Sequence, residues 1–108
     1  MIDILGREIK VGDIVAHATR SGNSGAIGIK IIADARMAND RWGSGEHEEV
    51  KVINYEYITR EYNYDTRSWY DVEPYYKKGG SGWSAGGTFV VINESVPDEL
   101  KNFLRSLI

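Results

Sequence analysis

The 108-residue chain has no cysteine, two prolines, two histidines and no long apolar run. Each scarcity excludes something. Without cysteine there are no disulfides, no thiolate nucleophile and no cysteine zinc site, and a reducing, cytoplasmic setting is expected. Apolar runs such as Val90-Val91-Ile92 fall far short of the roughly 20 residues of a membrane-spanning helix. No membrane partner is therefore expected. The opening MIDILGRE lacks a basic region followed by an apolar one, so no signal peptide is expected. Basic excess is lacking too. Thirteen Lys and Arg against 16 Asp and Glu leave a net charge of −3, which excludes a strongly basic nucleic-acid footprint. The acid gathers in residues 39–65, with seven acids and three bases. That stretch repels phosphate unless its bases share one face.

Catalytic patterns are also missing. No serine stands in a recognisable base-and-orienter arrangement, and the acids show no paired-carboxylate signature. No enzyme activity and no cofactor is expected. His17 alternates with Ala16 and Ala18 and reads as a structural histidine within a strand. Glu46-His47-Glu48-Glu49 reads as a solvated acidic edge. Adjacent strand residues face opposite ways, so at most two of these four share a side and no metal is expected.

What is present is β structure. The Gly12-Asp13 turn launches a strand over residues 13–19, and a polar loop spans 21–25. Through residues 26–37, Ile27, Ile29, Ile31, Ala33, Ala35 and Met37 alternate with Gly28, Lys30, Ile32, Asp34 and Arg36, the strand period. Residues 1–10 predict a short lead-in strand. Residues 48–60 predict a third strand. Its apolar phase slips between Val50/Val52 and Ile53/Tyr55/Tyr57, a bulge or a change of buried face. Asn63-Tyr64-Asp65-Thr66 predicts a hairpin turn. The returning strand covers 68–76 and ends near Pro74. Residues 77–87, with five glycines, predict a loop, and 88–93 a short last strand. Ser95-Val96-Pro97-Asp98 is a helix-start signature. Leu100, Phe103, Leu104, Leu107 and Ile108 then repeat at helical spacing, predicting roughly three turns. Truncating Phe103 to alanine is expected to cost on the order of 3 kcal/mol.

The series Gly6-Arg7, Ile9-Lys10-Val11-Gly12-Asp13-Ile14-Val15 and Gly25-Ala26-Ile27-Gly28-Ile29 resembles the start of small SH3-like barrels of the KOW type. It more closely resembles the opening of small uncharacterised proteins of tailed bacteriophages, which share Gly-Arg, Val-Gly-Asp and Thr-Arg-Ser-Gly (residues 19–22 here). The resemblance implies one mainly β domain over 1–108 with a small SH3-like antiparallel barrel at its base. Residues 1–53 are then the barrel's opening strands. Residues 54–87 are an extended Tyr-rich β-hairpin and glycine-rich loop. Residues 88–108 are a closing strand and C-terminal α-helix. KOW loops that touch RNA are basic, whereas this one holds only Arg20.

All seven tyrosines lie within residues 55–76, with Trp69 among them. Cross-strand aromatic pairs of a twisted hairpin account for such clustering. So does a binding face, because tyrosine and tryptophan are enriched in interface hot spots. Base stacking on a single strand or a nucleotide is the third reading. Glu56, Glu61, Asp65, Asp71 and Glu73 oppose Arg60, Arg67, Lys77 and Lys78, which favours a protein partner over a polyanion. The loop at 77–87 is no phosphate loop, because its lysines precede the glycines and a strand follows. Trp42 and Trp83, each beside glycines, either fold back onto the core or meet a partner. The expected partner-binding residues are Tyr62, Tyr64, Arg67, Trp69 and Trp83. The expected function is a non-enzymatic protein-interaction module. Given the phage resemblance, it is an accessory protein that binds and modulates, as an inhibitor, a bacterial host factor. The alternative is a KOW-like nucleic-acid or nucleotide binder.

Overall fold

The computed structural model describes residues 1–21, 24–40, 43, 45–84 and 88–108, and Trp42 lies outside them. Five strands, β1 (Ile14–Ser21), β2 (Ser24–Asn39), β3 (Glu46–Asn63), β4 (Ser68–Ser84) and β5 (Thr88–Val91), form one antiparallel sheet. A 3-10 turn at Asn93–Ser95 and one helix, α1 (Asp98–Arg105), follow. The strand order is β4-β3-β2-β1-β5. The first four strands are successive hairpins, and β5 returns beside β1. Among the described residues the sheet is open rather than a closed barrel, with β4 and β5 as its edges.

Burial explains the architecture. Ile14 and Val15 on β1, Ile31 and Ile32 on β2, and Val52 and Ile53 on β3 are neighbours in sequence and all buried. Neighbouring strand residues point to opposite faces. Both faces at the centre of the sheet are therefore apolar, and each needs a cover. On one face Val15, Ile32, Val50, Val52 and Phe89 pack with Ile9 and Met1. On the other, Ile14, Ile31 and Ile53 pack with Val96, Leu100 and Leu104. The phase slip in the third strand is this change of face, and a register shift follows between Ile53 and Tyr55.

The N-terminal segment is a tight loop rather than the expected lead-in strand, with only one bridge, Ile2 to Glu8. Asp3 is the reason. Its Oδ1 accepts from the backbone N–H of Leu5 (3.0 Å) and Arg7 (2.9 Å). Its Oδ2 accepts from Arg7 Nε and the Val91 N–H, both at 3.0 Å. A side chain that gathers local donors offers the backbone an alternative to a ladder. The loop also covers the outer edge of β5, where the Ile4 N–H donates to the Phe89 carbonyl at 3.0 Å. Burial raises the Asp3 pKa, but the N–H groups of Val91, Arg7 and Leu5 and the Arg7 side chain outweigh it and hold it at about 2.

The expected Gly12-Asp13 turn is in place. Gly12 sits at φ 93°, a conformation that favours glycine. Asp13 Oδ2 accepts from the Lys10 N–H at 2.8 Å. Its Oδ1 accepts from Asn93 Nδ2 at 3.0 Å, while Asn93 Oδ1 accepts from the Ile14 N–H at 2.7 Å. The start of β1 is thereby clamped to the segment that follows β5.

Three further expectations are corrected. First, β4 does not end near Pro74, and most of the expected glycine loop is strand. Gly82 pairs with Val52 and Trp83 with Lys51, so a partner strand overrides the low strand preference of glycine. Pro74 is tolerated because residues 72–74 fall in a register shift, between the Ile58–Tyr75 and Arg60–Asp71 pairs. Second, α1 has eight residues, and Pro97 rather than Ser95 precedes it, with no side-chain cap bond. Ser95 is used in the 3-10 turn instead, where its N–H donates to the Ile92 carbonyl at 2.9 Å. Third, Phe103 is only half-buried and stacks on Tyr76 with ring centroids 5.5 Å apart. Leu104 is the fully buried helix residue, at 0% exposure.

Two outcomes follow. Leu104→Ala should cost about 3 kcal/mol, more than Phe103→Ala, when both are measured by urea denaturation. The reverse order would mean that another helix face meets the sheet. Asp3 is depressed in the fold, so its contribution is present above the ordinary carboxylate pKa and is lost as pH falls toward 2. Calorimetry from pH 5 to 2 should show a steeper fall in Tm for the parent protein than for Asp3→Asn.

Candidate functional site

Pairing between β2 and β3 ends at Lys30 and Asn54. Beyond it, β3 and β4 continue alone as a two-stranded ribbon, about 30 Å long at 3.3 Å per residue. The ribbon makes the molecule elongated, 55 × 31 × 25 Å, with a radius of gyration of 16.6 Å. A compact chain of this length has a radius near 13 Å. An isolated ribbon is marginal in water, so its own side chains must hold it.

They do so in three groups. At the base, Tyr76 contacts Tyr55 and Tyr57, with centroids 5.9 and 5.2 Å apart, and stacks on Phe103 of α1. In the middle, Glu61 accepts hydrogen bonds from Tyr70 Oη (3.0 Å) and Tyr75 Oη (2.6 Å). The Tyr75 and Tyr70 hydroxyls lower the Glu61 pKa, and the same bonds raise those of both tyrosines. The carboxylate and two phenols thus form one mutually stabilised unit. At the tip, Tyr62 meets Tyr64 edge-on at 5.0 Å and Trp69 at 5.4 Å. The Arg60 guanidinium lies 5.4 Å from the Trp69 ring.

The turn at the tip is shaped by Asn63, whose Oδ1 accepts from the N–H groups of Asp65 (2.9 Å) and Thr66 (3.4 Å). Arg67 completes it at φ 53°, the only described residue other than glycine with positive φ. Four of the expected site residues, Tyr62, Tyr64, Arg67 and Trp69, are therefore brought together. Trp83 is not. It sits on the same strand roughly 45 Å away at the strand rise of about 3.3 Å per residue, opposite Lys51. Arg60 joins the tip set, because the turn register places it two residues from Tyr62 and across from Asp71.

Trp83 belongs to a second cluster at the other end of the sheet. The Arg36 guanidinium lies 3.8 Å from its ring centroid. Arg36 also donates to Glu49 Oε2 from Nη2 at 2.9 Å. Glu49 Oε1 lies 2.9 Å from His47 Nε2, and Asp40 Oδ1 lies 2.6 Å from His47 Nδ1. His47 and Glu49 thus share a side, as their spacing allows. With a carboxylate at each ring nitrogen, His47 is set up as an imidazolium clamp rather than a metal ligand. Among the described residues no group of His, Asp and Glu is arranged to hold a metal ion. The sequence does not reveal this cluster, because Arg36 meets Glu49 only once the strand register is known.

His17 lies buried on β1, paired between Gly28 of β2 and Phe89 of β5. Its ring stacks on Phe89 at 4.2 Å, and its Nδ1 lies 3.0 Å from Lys30 Nζ. Burial lowers the Lys30 pKa.

The bonds to Asp40 and Glu49 raise the His47 pKa above its ordinary value near 6.5. The clamp's contribution is then full below pH 6.5 and is lost as pH rises through the elevated value. An NMR titration should find His47 above 6.5 in the parent protein and lower in Asp40→Asn. An unshifted His47 in the parent would show that the clamp does not form. Comparison with protein-family models, curated proteins and solved structures finds no match to this chain.

Proposed function

We propose that the chain is a non-enzymatic binding protein that holds a protein partner with the tip of its aromatic ribbon. The observation that carries this reading is one exposed, connected ring set. Tyr64, Trp69 and Tyr62 are 85%, 58% and 36% exposed, touch one another, and carry Arg60 beside them. Rings already fixed by their neighbours lose little freedom on binding, and aromatic residues with arginine dominate hot spots. Arg67 supports the reading. A left-handed arginine costs on the order of 1 kcal/mol where glycine costs none, and such strain clusters at binding sites.

The charge around the tip is mixed. Arg60 faces Asp71 across the ribbon, with Glu61 and Asp65 close in sequence. Mixed charge suits a protein surface better than a polyanion. The phage resemblance of the opening residues makes a bacterial host factor the partner of this reading, and modulation of that factor the role. The SH3-like base belongs to the same proposal. It is supported by the run of hairpins in which β5 comes back beside β1. The nucleic-acid alternative has one favourable observation, because rings with an arginine beside them also make a stacking platform.

The test is capture of a protein from bacterial lysate by the immobilised chain, with and without nuclease. Tyr64→Ala and Trp69→Ala should each weaken capture by about 30-fold, the size of a 2 kcal/mol hot spot. Their circular dichroism should match the parent. Trp83→Ala, at the far cluster, should capture as the parent does. Tip variants that capture normally would overturn the reading. Capture that vanishes with nuclease and falls steeply with salt would transfer the site to nucleic acid.

A further inference from the structure

We propose that two copies of this chain associate through β4, by antiparallel pairing of its outer edge across a two-fold axis near Tyr75. The two five-stranded sheets would then be continuous. This goes beyond the ribbon-tip reading and does not rest on it.

The two edges of the sheet are treated differently. The outer edge of β5 is covered by the N-terminal loop, through Asp3 and Ile4. The outer edge of β4 runs from Ser68 to Ser84 with no neighbouring strand among the described residues. An edge of this length with no described strand beside it is a template for another strand, and Pro74, Lys77, Lys78 and two register shifts guard it against casual pairing. The question is which strand fits, and β4 fits itself.

A symmetric interface must be self-complementary. An antiparallel pair centred on Tyr75 sets Glu73 of each copy against Lys77 of the other. Asp71 and Glu73 lie on one side of that centre, and Lys77 and Lys78 on the other. Opposite charges therefore meet twice, and a parallel in-register pairing, which sets each charge against its own kind, loses that match; a shift by two residues keeps an antiparallel match by setting Asp71 against Lys77. Bulk matches as well. The same pairing sets Tyr70 against Gly80, Trp69 against Ser81 and Ser68 against Gly82.

The glycines supply an independent sign. A Cβ added at Gly80 or Gly82 would meet nothing within 4 Å, and neither residue has positive φ. Gly80 lies where β4 shifts register on β3, between the Ser81–Ile53 and Lys78–Tyr55 pairs, whereas no described atom of the same copy crowds Gly82. Gly79 differs, because a Cβ there would lie 3.1 Å from Asn54. A large ring across an edge glycine is a known way to fix strand register, and the second copy brings Tyr70 to Gly80. Pro74, beside the axis, lies in the 72–74 stretch that is out of register with β3. Tyr64, in the turn beyond Ser68, lies outside the pairing.

Sedimentation velocity over a concentration series tests this. The parent chain should reach twice the mass of one copy as concentration rises. Glu73→Lys alone and Lys77→Glu alone should each weaken association about tenfold or more, as two like-charge pairs replace two opposite ones. An equimolar mixture of the two variants should recover the dimer, because the all-basic chain then faces the all-acidic one. Tyr64→Ala, outside the pairing, should dimerise normally. A parent that stays monomeric throughout would overturn the proposal. So would a dimer that neither variant weakens. If a variant fails to fold, amide exchange in the parent decides. Protection of residues 76–82 should rise with concentration, and exchange that ignores concentration overturns the proposal.

Discussion

The two-sided burial at the centre of the sheet is the constraint from which the rest follows. Ile14-Val15, Ile31-Ile32 and Val52-Ile53 each place one apolar side chain on either face. A sheet of this kind cannot leave one side to water. Two separate covers are therefore needed, and both are short. One is the N-terminal loop, which brings Met1 and Ile9 onto the first face. The other is α1, which brings Leu100 and Leu104 onto the second. The loop is held by one carboxylate with four donors. The helix is held mainly by side chains, since its first turn has no side-chain cap. Where these covers stop, so does the core. Phe103 reaches Tyr76, and beyond that pair no element among the described residues overlies the ribbon. The exposure of the tip rings is thus fixed by the reach of an eight-residue helix, not by the aromatic content of the hairpin alone.

The two ends of the molecule differ in chemistry for related reasons. The ribbon has no third strand, so its order depends on contacts between its own side chains. Ring contacts at the base and tip, and a carboxylate shared by two phenols in the middle, supply them. In that central trio the shared hydrogen bonds shift Glu61 down and Tyr70 and Tyr75 up, which favours the carboxylate and the two neutral phenols. The far corner is built from Arg36, Glu49, His47 and Asp40, where the bonds to Asp40 and Glu49 raise the imidazole pKa. A change of pH through the raised His47 value therefore acts on the β2–β3 end of the sheet.

Much of the fold was legible in the sequence, and the misses share one physical cause. Alternation over residues 26–37 and the turn signals at Gly12-Asp13 and Asn63-Tyr64-Asp65-Thr66 are local, and the structure has β2 and both turns there. The tip set was legible for the same reason. A turn fixes the register beside it, and Tyr62 must then face Trp69. Trp83 was not, because two register shifts separate it from that turn. The glycines at 79–82 and Pro74 read locally as strand breakers, yet β3 carries the strand past both. Pairing with a neighbour outweighs propensity when the neighbour is already fixed. The helix face posed a similar problem. Helical spacing groups Phe103 with Leu104, and only the position of the sheet decides which one is fully covered.

The composition of β4 is the feature that a single copy leaves least explained. Lysine and proline on an edge discourage casual pairing, and Lys77, Lys78 and Pro74 fit that role. Acids at 71 and 73 and open glycines at 80 and 82 do not. Those residues make the edge less hostile to one particular strand, which must be acidic where β4 is basic and bulky where β4 is bare. Specificity of this kind comes from rejecting other partners as much as from attracting the right one. Of the strands described here, β4 read in reverse meets both conditions. The same residues then guard the edge in a lone copy and select the partner in a pair.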